Sequence, residues 1–230
     1  MGISYNTSIV KSGLVLHLDA ANPKSYPGSG TVWNDLSGKG NHGTLYGSPT
    51  FSGGRALFNG TNSYAEIPYD AVNFTFSYEQ TIMIILSPNE NDDNRRNPYN
   101  QSYAASGTWT HEPNGTINFY YGAGADTGES GTPYTNIGSA TVLQNETAMM
   151  CTVRSVANNH RRWFKNDTLT SDLSGTVYNP TTNSTNIIRI GRGYAGYYSG
   201  YIDTVMLYNR ALSAVEVAKN FEALRGRYGI

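Results

Sequence analysis

The middle of this 230-residue chain carries side chains of the types that hold sugars: Tyr99, Tyr103, Trp109, Tyr121, Asp126, Tyr134 and Asn136. A sugar ring lays its apolar C–H faces on aromatic rings. Its hydroxyls need carboxylate, amide or backbone partners. The segment supplies both: Tyr99 and Tyr103 beside Asn97 and Asn100, Trp109 beside His111, and Tyr120, Tyr121 and Tyr134 beside Asp126 and Asn136. The same composition serves protein recognition, because tyrosine gives contact area at low entropy cost. It also suits a sheet, where alternate tyrosines fill a core. From sequence all three readings stay open.

Hydrolysis finds less support. A retaining glycosidase needs two carboxyl groups about 5 Å apart across its substrate. The 17 acidic residues are scattered. The densest set, Glu90, Asp92 and Asp93, falls in the polar stretch 88–103, which reads as an exposed loop. No nucleophile-elbow motif supports a Ser-His-Asp site. His17, His42, His111 and His160 lack ligand spacing and read as surface or turn residues. The expectation is a non-enzymatic protein with no catalytic residue.

Charge and cysteine usage narrow the partners. Only 14% of residues are charged and the net charge is -1. No basic excess would draw nucleic acid or an anionic membrane. Low charge with 25 Gly and 18 Tyr marks a β-rich chain rather than a disordered one. The lone Cys151 excludes an internal disulfide and a cysteine-based zinc site, and within AMMCTV it reads as a small buried hydrophobe. No charged n-region precedes an apolar h-region at the start, so no signal peptide is expected. The longest apolar run, 82–86, is far too short to span a bilayer, so no membrane insertion is expected.

These side chains must be positioned by strands. Leu14, Leu16 and Leu18 alternate with Val15, His17 and Asp19, a period of two. Further strands are expected at 56–59, 63–67, 74–77, 79–86, 116–121, 141–143, 148–156, 161–164, 186–190 and 199–208. Many short strands separated by turn signals predict an all-β, two-sheet antiparallel sandwich. One helix is expected. Ser213-Ala-Val-Glu216 forms a capping box. Ala214, Val217, Ala218, Phe221 and Leu224 follow on one stripe, and Gly226 is the expected stop. Residues 1–12 read as a polar arm and residues 13–230 as one domain.

Four segments carry a family resemblance. They are GLVLHLDAANPKSYPGSGTVWNDLSGKGNHGTL (13–45), ALFNGTNSYAEIP (56–68), IIRIGRG (187–193) and YSGYIDTVMLYNRALSAVEVAKNFEALRGRYGI (198–230). Within them, DLSGKGNHG, F-N-G and GYIDTVMLYNRALS fall in the order that resembles laminin-G-like, concanavalin A-type jelly-roll domains. The nearest look-alikes are single-domain proteins of tailed bacteriophages. Such a fold hosts lectins, glucanases and inert modules alike. The resemblance implies a virion surface protein, made in the host cytoplasm, that decorates the capsid or forms a short appendage. It also implies other virion proteins as partners, host-surface polysaccharide as a ligand, and assembly as a homo-oligomer that covers sheet edges. A free lectin module is the rival, and a glycan hydrolase the third reading. No cofactor is required. Some relatives bind calcium at a loop rim, for which Asp35, Asn41, Asn59 and Asp203 are the candidate ligands. The competing reading of these four is turn capping.

Overall fold

Strand alternation fails in the run EQTIMIIL (79–86), whose last five residues are all apolar, and the computed structural model gives the reason. It describes residues 8–76, 79–90, 94–102, 106–121, 135–174 and 185–230. The strands of the first half are β1 (Leu14–Asp19), β2 (Val32–Trp33), β3 (Gly43–Tyr46), β4 (Thr50–Ser52), β5 (Arg55–Asn59), β6 (Tyr64–Ile67), β7 (Glu79–Pro88), β8 (Arg96–Ser102) and β9 (Gly107–His111). Those of the second half are β10 (Thr116–Tyr121), β11 (Thr135–Thr141), β12 (Ala148–Ser155), β13 (His160–Lys165), β14 (Thr168–Ser174), β15 (Ile188–Ile190), β16 (Arg192–Gly193), β17 (Gly196–Tyr197) and β18 (Ser199–Tyr208). One helix, α1 (Ala214–Tyr228), closes the chain.

The strands form two antiparallel sheets in a jelly-roll sandwich. The smaller sheet runs β14-β13-β12-β7-β18-β5-β4, with β1 also on β18. The larger runs β11-β10-β9-β8-β15-β6-β3-β2, and the β16–β17 hairpin joins it at β8. Between the sheets lies the main core, with Trp33, Trp109 and Trp163 fully buried. The Trp109 indole donates to the Thr152 hydroxyl at 3.2 Å, tying one sheet to the other.

The smaller sheet is buried on its outer side too. There Met83, Ile85, Met149, Cys151, Val153, Met206 and Tyr208 pack under Val217, Phe221 and Leu224 of α1. Strands covered on both faces have no polar side to alternate with, hence EQTIMIIL. Cys151 is fully buried, as its apolar stretch implies, and burial pushes its thiol up. Ile9 and Val10 join this outer layer, and the Val10 amide donates to Asn220 Oδ1 at 2.7 Å. No helix among the described residues is long and apolar enough to cross a membrane.

The helix start matches its sequence signature. Ser213 accepts from the Glu216 amide, and Glu216 accepts from the Ser213 amide. Its end differs: α1 continues past Gly226 and stops at Gly229, whose φ of 68° is left-handed. The stretch 88–103 also differs. Its second half is β8, buried despite its polarity, because Asn97 bonds the Trp109 carbonyl, the Thr108 hydroxyl and the Ala195 amide. Residues 74–76 are not a strand. Phe74 closes a turn onto the Asp70 carbonyl, while Phe74 and Phe76 fill the core. β11 ends at Thr141, where a strand was expected to begin. His17 and His111 are buried, not surface residues.

The Arg210 guanidinium, 2.6 Å from Glu216, holds its carboxyl down at about 2 against an ordinary 4.5. A carboxylate depressed on folding adds stability above its unfolded value and loses it as pH falls toward the folded one. Urea unfolding from about pH 6 to about pH 2 should therefore show an acid limb that flattens in Glu216→Gln. That variant should lose roughly 0.5–1 kcal/mol at the upper end. Parallel limbs would refute the assignment.

Candidate functional site

Among the described residues no helix packs on the outer side of the larger sheet, and one register step separates its two rows. Leu45, Ala65, Ile190, Tyr99, Trp109 and Phe119 are cross-strand partners in one row and all face the core. The next row runs Thr44, Glu66, Arg189, Asn100, Thr108 and Tyr120. Since neighbours along a strand point to opposite faces, this second row is the outer face.

Two arginine–tyrosine clusters stand on it. In the first, Arg95 forks onto Glu112 at 2.9 and 3.1 Å and reaches the hydroxyls of Tyr120 and Tyr194 at 3.4 and 3.3 Å. Asn118 donates to the same carboxylate at 3.1 Å. Burial opposes the Arg95 charge, but the Glu112 bond and the neighbouring tyrosines outweigh it and raise its pKa. Burial, then Glu112, raises the pKa of the Tyr120 hydroxyl, which accepts from Arg95 and Asn118. With Pro113, Asn114 and Thr116, the residues Arg95, Glu112, Asn118 and Tyr120 line an open depression of about 640 Å³.

The second cluster is aromatic. Tyr46 stacks on Tyr64 with centroids 4.9 Å apart and planes 13° apart. The Arg192 guanidinium lies 4.8 Å from the Tyr64 ring and 5.2 Å from the Tyr197 ring. Beside it, Asn100, Ser102, Asn186, Arg189, Arg192 and Tyr194 border a cleft of about 330 Å³. Tyr194 stands 49% exposed between the two depressions, and Tyr46 is 42% exposed. Flat rings with hydrogen-bonding side chains at their margins can take a sugar ring face-on. Glu112 is engaged by Arg95, and Glu66 by Arg189 at 3.0 Å.

The expected contact residues are only partly on this face. Tyr99, Trp109 and Tyr121 are fully buried, so they are core residues and not contacts. Tyr103, Asp126 and Tyr134 lie outside the described residues. The backbone of Asn136 pairs opposite Tyr120 at the end of the outer row. Sequence reading missed Tyr46, Tyr64, Arg189, Arg192, Tyr194 and Tyr197. Their signal was present: Tyr64 and Glu66 alternate with Ala65 and Ile67, and GRGYAGYY (191–198) interleaves arginine, glycine and tyrosine. Arg95 and Arg96 are ion-pair partners, as such basic pairs suggest, with Glu112 and Glu90.

The calcium candidates are not gathered into one site. Asp35 accepts from the amides of His17, Ser37 and Asn41 and from the Ser37 hydroxyl, at 2.6–3.0 Å. Asn41 donates to the Val15 carbonyl, so together they fasten the first long loop to β1. Asn59 Oδ1 takes the amides of Thr61, Asn62 and Ser63 and shapes the β5–β6 turn. Asp203 is buried under Arg55. Asp35 and Asn59 cap turns, Asp203 bonds the Ala56 amide and Arg55 across strands, and the described residues hold no group of three or more His, Cys, Asp or Glu able to bind a metal.

The sequence profile of the concanavalin A-like lectin/glucanases superfamily, in its laminin-G form, matches residues 59–218. No curated protein matches the chain. Among solved structures, the binding domain of botulinum neurotoxin DC in complex with rat synaptotagmin II is similar at 9% identity and a TM-score of 0.72. The match covers 94% of this chain and 52% of that one. The same binding domain in complex with SialylT matches at 10% identity and 0.72, over 93% and 52% of the two chains. Trypanosoma rangeli sialidase in complex with sialic acid matches at 17% identity and 0.64, over 91% and 32%. The chain thus spans about half the neurotoxin domain and a third of the sialidase. At these identities the likeness is one of fold.

Asp35 gives a direct test of the turn-capping account. Asp35→Ala strands four donors and should cost about 2–4 kcal/mol in urea unfolding. The melting temperature should stay within about 1 °C between a few mM calcium and excess chelator. A rise of several degrees with calcium would restore the metal reading.

Proposed function

The chain belongs to the concanavalin A-like lectin/glucanase superfamily, and from that premise we propose a non-enzymatic surface protein of a tailed-phage virion that contacts host-surface glycans. The observation that carries the glycan part is the outer face of the larger sheet. There Tyr46, Tyr64, Arg192, Tyr197 and Tyr194 are laid out between hydrogen-bonding side chains. Binding domains of this fold occur in complexes with rat synaptotagmin II and with SialylT, which supports recognition as its use here.

The non-enzymatic part rests on the engagement of Glu66 and Glu112 by arginines. A general acid must instead be held ready to give its proton. The virion part, including synthesis in the host cytoplasm and capsid or tail partners, rests on the resemblance of the four segments to phage proteins. Self-assembly belongs to the same proposal. β14 is an edge strand with Leu169 and Leu173 exposed, and such an edge invites pairing or cover.

Mass spectrometry of purified phage particles tests the location, and a glycan array tests the ligand. The chain should be found in particles at stoichiometric copy number. On the array, Tyr64→Ala should weaken glycan binding about tenfold, the scale of one lost aromatic contact. Absence from particles with glycan binding intact would leave a free lectin module. Turnover of any bound glycan would overturn the non-enzymatic reading.

A further inference from the structure

The arginines of the outer face have different fates. Arg95 is spent on Glu112, Arg96 on Glu90 and Arg189 on Glu66. Arg192 pairs with no carboxylate among the described residues; its contacts are the rings of Tyr64 and Tyr197. Ring stacking uses the flat side of a guanidinium and leaves its in-plane N–H groups to donate. Those donors form the fork that fits an oxyanion in two-pronged fashion.

The guanidinium is also held in place. β16 and β17 make a tight hairpin, and Asn97 beneath it accepts from the Ala195 amide at 2.7 Å. The hairpin sits so close that a Cβ on Gly193 would lie 2.6 Å from Asn97 Oδ1, so no larger residue fits there. Tyr64 stands fixed between Tyr46 and Tyr197. The cleft beside Arg192 is bordered by Asn100, Ser102, Asn186 and Arg189, and its described lining contains no acidic residue. At about 330 Å³ it is at the small end of ligand pockets, which run from roughly 300 to 1,000 Å³.

We propose that this cleft is an oxyanion subsite: Arg192, braced on Tyr64 and Tyr197, receives the acidic substituent of a sugar and makes the face selective for acidic over neutral glycans. The inference rests on the glycan-contact reading and sharpens it. A uronate carboxylate and a sugar phosphate share the required chemistry.

Calorimetric titration with three probes tests it: oligogalacturonate, the same oligomer fully methyl-esterified, and a mannose-phosphate oligosaccharide. The first two share a backbone and differ in charge. The native protein should bind the acidic oligomer about tenfold tighter than its ester, with the advantage shrinking in high salt. In Arg192→Gln the ratio should fall to within about twofold, and a circular dichroism spectrum and melting temperature matching the native protein's show that the variant is folded. Tighter binding of the phosphate probe would make phosphate the substituent, and tighter binding of oligogalacturonate would make it a carboxylate. A ratio that survives Arg192→Gln, or no preference in the native protein, would overturn the subsite and leave the glycan face standing. No binding of any probe would overturn both.

Discussion

The sandwich depends on one buried carboxylate at a break in its longest pairing. β18 is flanked on one side by β7 along its length, but on the other by two different strands. β5 takes Ser199 to Tyr201 and β1 takes Thr204 to Tyr208. Asp203 sits where they change over. Its side chain accepts from the Ala56 amide at 3.2 Å and from Arg55 at 2.9 Å, and its carbonyl takes the Ala20 amide at 2.8 Å. Burial raises its pKa, and the Arg55 bond and charge pull the other way. A buried carboxylate without such partners would cost several kcal/mol. Asp19, next to this junction, is held by Arg227 and by the Tyr228 hydroxyl, so the helix end is tied to the same place.

That junction decides what the two sheets can do. With β1, β5 and α1 all anchored to it, the smaller sheet is closed on its outer side. Its apolar strands β7, β12 and β18 are packed on both faces. The described helix packs on the smaller sheet, and the outer row of the larger one carries polar and aromatic side chains, covered at β8 by the β16–β17 hairpin. Alternation lets β6, β15, β8 and β9 build the core with one row and the outer face with the next. The two faces therefore sit one residue apart along each strand, as Tyr99 in the core row and Asn100 in the outer row illustrate.

This one-residue separation also explains what could be read in advance. The fold was legible because its signals are local: the alternation around Leu16, the apolar run from Ile82, the capping box at Ser213. β8 was hidden because its buried polar groups, Asn97 above all, are satisfied by strands distant in sequence. Arg154 was equally opaque. It is fully buried, 5.0 Å from the Tyr121 ring, and burial lowers its pKa to about 10. The contact face was half legible. Tyrosine abundance signalled a binding surface, but which tyrosines face outward is set by register, and register follows from cross-strand pairing. Hence Tyr99 and Tyr121 looked like contacts and are core, while Tyr64, inside a family segment, and Tyr197, between two of them, stand on the outer face.

The central claim is that glycan recognition belongs to the outer face of the larger sheet. Amide chemical-shift mapping during titration with tetragalacturonate tests it most directly. The account predicts shifts clustered at Tyr46, Tyr64, Arg189 and the hairpin from Arg192 to Tyr197. Shifts centred on the loop around Asp35 or on α1, with that face silent, would contradict it.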